Sequence, residues 1–368
     1  MEQSRAHGKS QWYHETQSRN QTADVLPLVP EAAHVADRFL LDLTLPDDVS
    51  EKSASWLQIS SVIANHLFPN SVNVTRLHTF SVYERLSTAL TVAQVSGVQR
   101  LCNHYAARLA PLPGPDSSRE SNHRLAQITQ FARQLAGSPS VICQHSRQQL
   151  DAVGLSTPDI VLISQIVGFV GYQARVIAAC QALLGQPARW IPGMPVQEDA
   201  PASLFDSGQT QWQSRLPHNG GQEYPDTFAE LTPLLAWDAA LLEAEETLLH
   251  ALIPNAGYAP FVALVTARIN GSLGCFGQYA DQTALTKAAR DGEAALQQWC
   301  RDKPGHQAIL QAVLLLNRAP DRFSSALFTP LTEQGFSREQ ALGLLAWSGF
   351  HGWFNRLKIG LGEALPVT

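Results

Sequence analysis

The chain has 368 residues, of which 45% are apolar and only 16% are charged, and its formal net charge is −6. This length favours two domains, and the slightly acidic balance argues against a general nucleic-acid-binding protein. Five widely spaced cysteines do not form the pattern of a disulfide framework, and Met1–Asp24 has no apolar signal core. We therefore expect a reduced, cytoplasmic protein with neither nucleic acid nor membrane as a partner.

Changes in composition divide the chain into four predicted parts. Residues 1–36 form a polar arm, in which the aromatic run Gln11–Glu15 indicates that part of the arm packs on the body. Residues 37–186 form a first unit and residues 226–368 a second, each long enough for one hydrophobic core. Between them, residues 187–225 are rich in Pro, Gly, Gln and Ser, which is typical of a linker draped over the surface.

Helical patterns dominate both units, and no alternating Val/Ile/Thr run of strand length stands out. The longest apolar stretch, Ile160–Gly185, is interrupted by polar residues and therefore predicts a buried helix rather than a membrane span. Helical periodicity also covers Thr232–Leu252, Ala308–Leu316 and Phe336–Gly360. The predicted fold class is all-α.

Two serines mark predicted helix starts at equivalent places in the two units. Ser156 and Ser337 can each cap a first turn, and Gln340 completes a capping box after Ser337. Gly154 and Gly335 precede these serines, and we expect each glycine to end the preceding segment in a left-handed conformation.

Residues 123–185 and 304–366 are similar to each other at a fixed offset of 181 residues. Half of the identical positions hold Gly, Pro, Ser or Arg, which encode backbone geometry and polar contacts rather than general apolarity. Examples are the pairs Pro139 and Pro320, Gly168 and Gly349, and Arg175 and Arg356. A second block at an offset of 174 relates Ala89–Ala93 to Ala263–Ala267. The sequence therefore predicts two tandem helical domains related by internal duplication.

The second unit carries a series of short motifs in a fixed order: Arg268-Ile269-Asn270, then Gly274-Cys275, and finally Phe350 with Asn355-Arg356-Leu357. With this layout the chain resembles the carboxymuconolactone decarboxylase/AhpD-like superfamily, in its peroxidase-related branch. The closing helix of the first unit fits the same pattern, with Arg175 at the arginine position. The resemblance implies an all-helical fold that associates into symmetric homo-oligomers.

The resemblance covers most of residues 85–185 and 230–366 and implies a thiol-dependent oxidoreductase. Redox members of the superfamily use two cysteines one turn apart together with a histidine. Here Cys275 occupies the first cysteine position, Gln278 the second, and Asp281 the histidine position. A lone cysteine can still be oxidised to a sulfenic acid and resolved by an external thiol. The implied reaction is reduction of a peroxide or a small thiol/disulfide substrate through Cys275, with an external thiol reductant and no cofactor.

The predicted catalytic residues are Cys275 and Tyr279, which would share one helix face at i and i+4. Gln278, Asp281 and His351 are the candidate substrate-binding residues. Asn355 and Arg356, outside this set, could bind an acid or cap carbonyls of the neighbouring unit.

Cys102 and His104 are secondary candidates in the first unit. Two positions apart on a helix, they face roughly opposite sides and cannot share a proton or a metal ion. Together with Cys143 and His145 they do not have zinc-site spacing, so no metal is predicted.

Two further functions remain open on the same residues. The fold could hold a small metabolite or a partner without catalysis, as a binding or scaffolding protein. Cofactor-free lactone or decarboxylase chemistry would need a base, for which Asp281 and His351 are the candidates.

Overall fold

The protein is described by a computed structural model, which covers residues 28–189, 196–206, 210–217, 226–254, 257–279 and 283–366. The aromatic run Gln11–Glu15, predicted to pack on the body, lies outside the described residues. Helices make up most of the described chain, which confirms the all-α class.

The α-helices of the first unit are α1 (Asp47–Leu67), α2 (Val82–Ser96), α3 (Gln99–Leu109), α4 (Arg119–Gly137), α5 (Gln144–Ala152) and α6 (Thr157–Leu183). Those of the second unit are α7 (Thr232–Leu235), α8 (Ala239–Leu252), α9 (Ala259–Asn270), α10 (Leu273–Phe276), α11 (Thr283–Asp291), α12 (Glu293–Cys300), α13 (Pro304–Arg318), α14 (Ser325–Glu333) and α15 (Arg338–Leu361). Short 3₁₀ helices join several of them, including Pro139–Val141 and Pro320–Arg322.

A small sheet, which the sequence did not predict, ties the linker to the end of the chain. Strand β1 (Thr210–Ser214) pairs antiparallel with β2 (Gly362–Pro366), in a register that sets Trp212 opposite Ala364. Trp212 is the buried residue of β1, and its indole Nε1 donates to the carbonyl of Lys358 over 2.8 Å. The linker was expected to drape over the surface. Its described part instead buries Trp212 and Phe205 in the core.

The predicted helix starts are present in both units. α6 and α15 begin directly after Ser156 and Ser337, and each serine side chain accepts a hydrogen bond from the backbone N–H three residues later. Both helices also carry a complete capping box. Gly154 and Gly335 have φ angles of 79° and 89°, as expected for left-handed residues.

The two longest helices, α6 and α15, pack against each other in the core of the molecule. In the most apolar 18-residue window of α6, 94% of the residues are buried inside the protein, which confirms the prediction of a buried helix. That burial is compatible with a soluble protein. α6 packs along α15, and both belong to one hydrophobic cluster that extends through the two units.

Glycines let α6 and α15 approach closely. A β-carbon on Gly168 would lie 1.9 Å from Cδ1 of Trp353, and one on Gly349 would lie 3.1 Å from Cδ2 of Tyr172. Each glycine therefore receives an aromatic ring from the opposite helix. The Trp353 ring is fixed by a 2.8 Å hydrogen bond from its Nε1 to Oε1 of Gln165.

Two buried arginines tie each long helix to the opposite unit. Nη2 of Arg175 donates to the carbonyl of Asn317 over 2.9 Å, and Nη2 of Arg356 donates to the carbonyl of Ala136 over 2.7 Å. Both carbonyls lie in the last turn of a helix, where acceptors lack intrahelical partners. The sequence allowed Arg356 either to bind an acid or to cap carbonyls of the neighbouring unit. In the structure it caps a carbonyl.

Element bounds in the two halves coincide at the offset found in the sequence. α5 spans 144–152 and α14 spans 325–333, while α6 and α15 begin at 157 and 338, so each pair differs by 181 residues. The 3₁₀ turns Pro139–Val141 and Pro320–Arg322 differ by the same number. The internal duplication itself remains a prediction.

The helix predicted over Thr232–Leu252 is interrupted. α7 ends at Leu235, a 3₁₀ turn follows, and α8 begins after Asp238, whose carboxylate accepts from the backbone N–H of Leu241 over 3.1 Å. The same carboxylate is 2.6 Å from Nε2 of His66 on α1. A new cap and a tertiary contact at Asp238 therefore outweigh the continuous helical pattern.

Candidate functional site

The segment around Cys275 is not the continuous helix that the sequence predicted. α9 ends at Asn270, and Gly271 follows with a φ of 76°. α10 then lasts only four residues and gives way to a 3₁₀ turn at Gly277. Glycines are poor helix formers, and three of them in seven residues favour this break. The prediction that Cys275 and Tyr279 share one α-helical face is therefore wrong.

Cys275 is buried beneath the linker, with only 4% of its surface exposed. β1 crosses directly over α10, because a β-carbon on Gly274 would lie 3.2 Å from Cβ of Trp212. The rings of Phe205 and Phe276 pack beside it, with centroids 4.8 Å apart. A substrate can therefore reach the thiol only if the chain around it moves.

Tyr279 nevertheless lies close enough to Cys275 for the two to interact electrostatically. Burial, and secondarily the charge of a Cys275 thiolate, raises the pKa of Tyr279 to about 12. Gln278 is exposed on the adjoining turn. Asp281 lies outside the described residues. The structure therefore brings together two of these four predicted residues.

His351 lies on α15 within an aromatic cluster, apart from Cys275. Its ring meets Trp347 edge-on at 4.4 Å and Phe350 at 6.3 Å, and its buried Nε2 has no hydrogen-bond partner among the described residues. Burial lowers the pKa of His351 to about 4, so the ring is neutral at pH 7. None of its interactions in the described chain involves Cys275.

The first-unit candidates Cys102 and His104 are both buried and separately engaged. Nδ1 of His104 donates to the carbonyl of Ala32 over 2.7 Å, and burial lowers the pKa of this histidine to about 4. Burial raises the pKa of Cys102 to about 12. Cys102 and His104 are therefore packed residues of α3, and His104 contacts the chain segment that precedes α1.

Among the five thiols, all of them free, that of Cys143 has the properties of a reactive group. Cys143 is exposed at the start of α5, and hydrogen bonds from the backbone N–H and hydroxyl of Ser146 lower its pKa. Burial raises the pKa of Cys180 to about 12 and that of Cys300 to about 11. Within the described residues, no three His, Cys, Asp or Glu side chains come together as metal ligands.

A cavity of about 610 Å³ opens in the first unit, between the loop before α2, the loop after α3 and the start of α4. Its apolar wall consists of Val72, Val74, Val82, Leu112 and Leu125. Its polar wall includes Thr79, Ser81, Glu84, Ser121 and Arg124. This volume lies within the range of small-molecule sites, which combine apolar walls with a few convergent polar groups.

An ion pair stabilises the polar wall of the cavity. Nε of Arg124 donates to Oε1 of Glu84 over 2.6 Å, and Nη2 of the same arginine donates to Oγ1 of Thr79 over 2.9 Å. Oε2 of Glu84 accepts from the backbone N–H and the hydroxyl of Ser81 at 2.8 Å each, which completes the capping box of α2. The guanidinium and the carboxylate balance each other, so the wall presents hydrogen-bonding groups without net charge.

Asp159 holds the loop that forms the cavity entrance. Its carboxylate, only 1% exposed, accepts from the backbone N–H groups of Thr79 and Phe80 and from the Thr79 hydroxyl. Because Asp159 is also the capping-box acid of α6, the loop is anchored to the central helix. The part of the cavity wall at Thr79 is therefore anchored to the body of the protein.

Sequence reasoning missed the cavity, although one local signal was present. Ser81 followed by Glu84 has the spacing of a capping box, and this spacing could have located the start of α2. Nothing local to Arg124 indicates its partners, because Glu84 and Thr79 are 40 and 45 residues away.

Comparisons with known proteins leave the family resemblance as an expectation. No protein-family model matches the chain, and no curated protein matches it.

Proposed function

We propose that this chain is a small-molecule-binding protein on a degenerate AhpD-like scaffold, and that its ligand occupies the cavity next to Glu84 and Arg124. The cavity itself is the observation that carries the proposal: about 610 Å³, open to solvent, with an apolar wall and a neutralised polar wall. Burial of Cys275 beneath β1 supports binding over redox chemistry.

The lining indicates the chemical class of the ligand. Glu84 and Arg124 neutralise each other over 2.6 Å, so neither is free to compensate a charged group on the ligand. Valine and leucine side chains favour apolar surface, while Thr79, Ser81 and Ser121 can hydrogen-bond a single polar group. The expected ligand is therefore an uncharged, mostly apolar organic molecule with one or two hydrogen-bonding groups.

A direct test compares two tryptophan variants on α4. Ser121 lines the cavity, so Ser121→Trp is expected to fill it and to weaken binding at least about tenfold. Gln130 is exposed on the same helix outside the cavity, and Gln130→Trp is the matched control. The probe is N-phenylnaphthylamine, a neutral apolar fluorophore, titrated against the full chain.

The competing outcomes are distinct. Saturable binding that is lost in Ser121→Trp and kept in Gln130→Trp supports the proposal. If the wild-type chain shows no saturable binding, or if both variants bind the probe as the wild type does, the cavity is not a ligand site.

Thiol-dependent redox chemistry at Cys275 is the second candidate function. Its support is the electrostatic interaction of Cys275 with Tyr279, the phenol paired with this thiol in the sequence analysis. A hydroperoxide would transfer one oxygen to the Cys275 thiolate, giving a sulfenic acid and releasing an alcohol. An external thiol would then form a mixed disulfide with loss of water, and a second external thiol would release Cys275.

Single-turnover peroxide consumption separates the two functions. Reduced wild type and Cys275→Ala are compared, with Cys300→Ala as a control for another buried thiol. Oxidation of Cys275 alone, with activity lost only in Cys275→Ala, supports the redox function. Equal rates in all three proteins would exclude it.

The two units are further proposed to descend from one duplicated unit. The support is the 181-residue offset shared by α5 and α14, and by α6 and α15. In that history the second unit kept the family cysteine, while the first unit, with Leu101 and His104 at the two cysteine positions, acquired the cavity.

A further inference from the structure

The mouth of the cavity beside Glu84 and Arg124 is bordered by apolar residues that face solvent. On one side, in the loop before α2, Val74 lines the cavity and is 53% exposed. On the other side, in the loop after α3, Pro113 and Pro115 line the cavity and are exposed. The apolar wall of the cavity therefore continues through its mouth onto the surface.

Leu77 adds a further apolar side chain to the loop before α2. It follows Val74 by three residues and, at 59%, has the highest exposure among the large apolar side chains described. Single exposed apolar residues are common and need no explanation. Apolar residues that surround the opening of a cavity are instead typical of a ligand or interaction site.

Hydrogen bonds hold this loop in a defined conformation while Leu77 is exposed. The backbone N–H of Thr75 donates to the carbonyl of His78 over 2.9 Å, and Oγ1 of Thr75 accepts from the backbone N–H groups of Leu77 and His78. The carbonyl of Leu77 accepts from the hydroxyl of Ser156, the N-cap of α6. Asp159 binds the backbone that follows. The exposure of Leu77 is therefore a property of the folded loop.

Charged residues around the mouth balance each other. Arg76 is exposed in the loop before α2, and Asp116, Arg119 and Glu120 are exposed between α3 and the first turn of α4. A partner at this surface must therefore be attracted mainly by apolar contact rather than by net charge. Arg76 stands next to Leu77, where its guanidinium suits a phosphate group.

We propose that this border docks on the surface of a lipid bilayer, with Val74 and Leu77 entering the headgroup region and Arg76 meeting the lipid phosphates. The docking rests on the proposed ligand-binding function, because an uncharged and mostly apolar ligand partitions into bilayers. A mouth that faces the bilayer receives such a ligand without passage through water. A folded protein seated on the same border would close the cavity, whereas a fluid bilayer leaves it accessible.

The sequence predicted no membrane partner, because it contains no signal core and its longest apolar stretch forms a buried helix. Docking on a bilayer surface requires neither a signal nor a spanning helix. It requires apolar side chains that reach the boundary between headgroups and acyl chains. That expectation therefore does not extend to this surface.

Flotation of the full chain with vesicles of phosphatidylcholine and phosphatidylglycerol measures the docking. Leu77→Asp is expected to weaken vesicle binding at least about tenfold, because it replaces an apolar contact by a charge. Leu77→Trp is expected to bind at least as tightly as wild type, since tryptophan favours the bilayer interface. Val141→Asp is the matched control: Val141 is 52% exposed and follows the end of α4, whose other end lies at the mouth. This control should float as wild type does.

Titration with N-phenylnaphthylamine in the absence of vesicles separates docking from ligand binding. Leu77→Asp should bind the probe as wild type does, and Ser121→Trp should lose the probe but still float with vesicles. Wild type that binds the probe without floating would overturn the docking and leave the ligand site intact. Equal flotation of Leu77→Asp and Val141→Asp would also overturn it. Flotation that depends on Leu77 in a wild type that does not bind the probe would support docking and refute the ligand site.

Discussion

Replacement of Gly168 by alanine tests the close approach of the two long helices. The added β-carbon would lie 1.9 Å from Cδ1 of Trp353, whereas carbon atoms in contact are about 3.5–4.0 Å apart. The indole would therefore have to move by more than about 1 Å. It is fully buried, and it is held by Gln165 and by the rings of Phe169 and Tyr172.

The expected cost follows from these contacts. Overpacking costs about 1–3 kcal/mol, and loss of the buried indole hydrogen bond adds about 1–3 kcal/mol. Alanine has a better helix propensity than glycine, which raises the free energy of unfolding by about 1 kcal/mol. We expect Gly168→Ala to lower the free energy of unfolding by about 1–5 kcal/mol, measured by urea denaturation with tryptophan fluorescence and circular dichroism.

Gly343→Ala on α15 is the matched control. This glycine is also helical, has an ordinary negative φ, and a β-carbon there would meet nothing within 4 Å. It should stabilise the protein by about 0.5–1 kcal/mol. If Gly168→Ala proved as stable as Gly343→Ala, the packing of Trp353 against Gly168 would be refuted.

Two further predictions follow from perturbed ionisable groups. Glu245 on α8 is fully buried, and burial raises its pKa well above the usual range, so the native state keeps a proton that the unfolded chain releases. Stability should therefore fall as pH rises above the unfolded pKa of about 4.3. Glu245→Gln should flatten this fall between pH 5 and 8 in thermal unfolding, and an unchanged slope would contradict it. Cys143 should react fastest with iodoacetamide at pH 7.5, ahead of Cys102 and Cys180, as mass spectrometry after short pulses can measure. Equal labelling of all three cysteines would show that burial does not control the reactivity of these thiols.

The sequence predicted helix caps and left-handed glycines correctly, because each depends on only a few neighbouring residues. Ser156 and Ser337 cap helices because a serine hydroxyl accepts a hydrogen bond from the backbone N–H three residues later. This geometry needs only a short segment of chain. Gly154 and Gly335 take left-handed φ for a similarly local reason. These residues could be interpreted without knowledge of the fold.

Features that depend on contacts distant in sequence could not be predicted in the same way. The helix pattern of Thr232–Leu252 is interrupted where Asp238 meets His66, which is 172 residues away. The polar wall of the cavity forms because Arg124 reaches Glu84 and Thr79, which are distant in sequence. Repetition of arginine at 175 and 356 did indicate contacts between the units, but it could not identify Asn317 and Ala136 as the residues that supply them.

The distribution of polar groups bears on which function this fold can support. The centre, where α6 and α15 pack, holds arginines that donate hydrogen bonds to backbone carbonyls of the opposite unit. Cys275 lies instead on a four-residue helix between glycines, beneath a linker strand anchored at Trp212. Catalytic thiols need fixed partners and access, and this segment offers one nearby phenol and little access. The cavity at Arg124 has both a hydrogen-bonded polar wall and an opening, so ligand binding is the function that the arrangement of these residues favours.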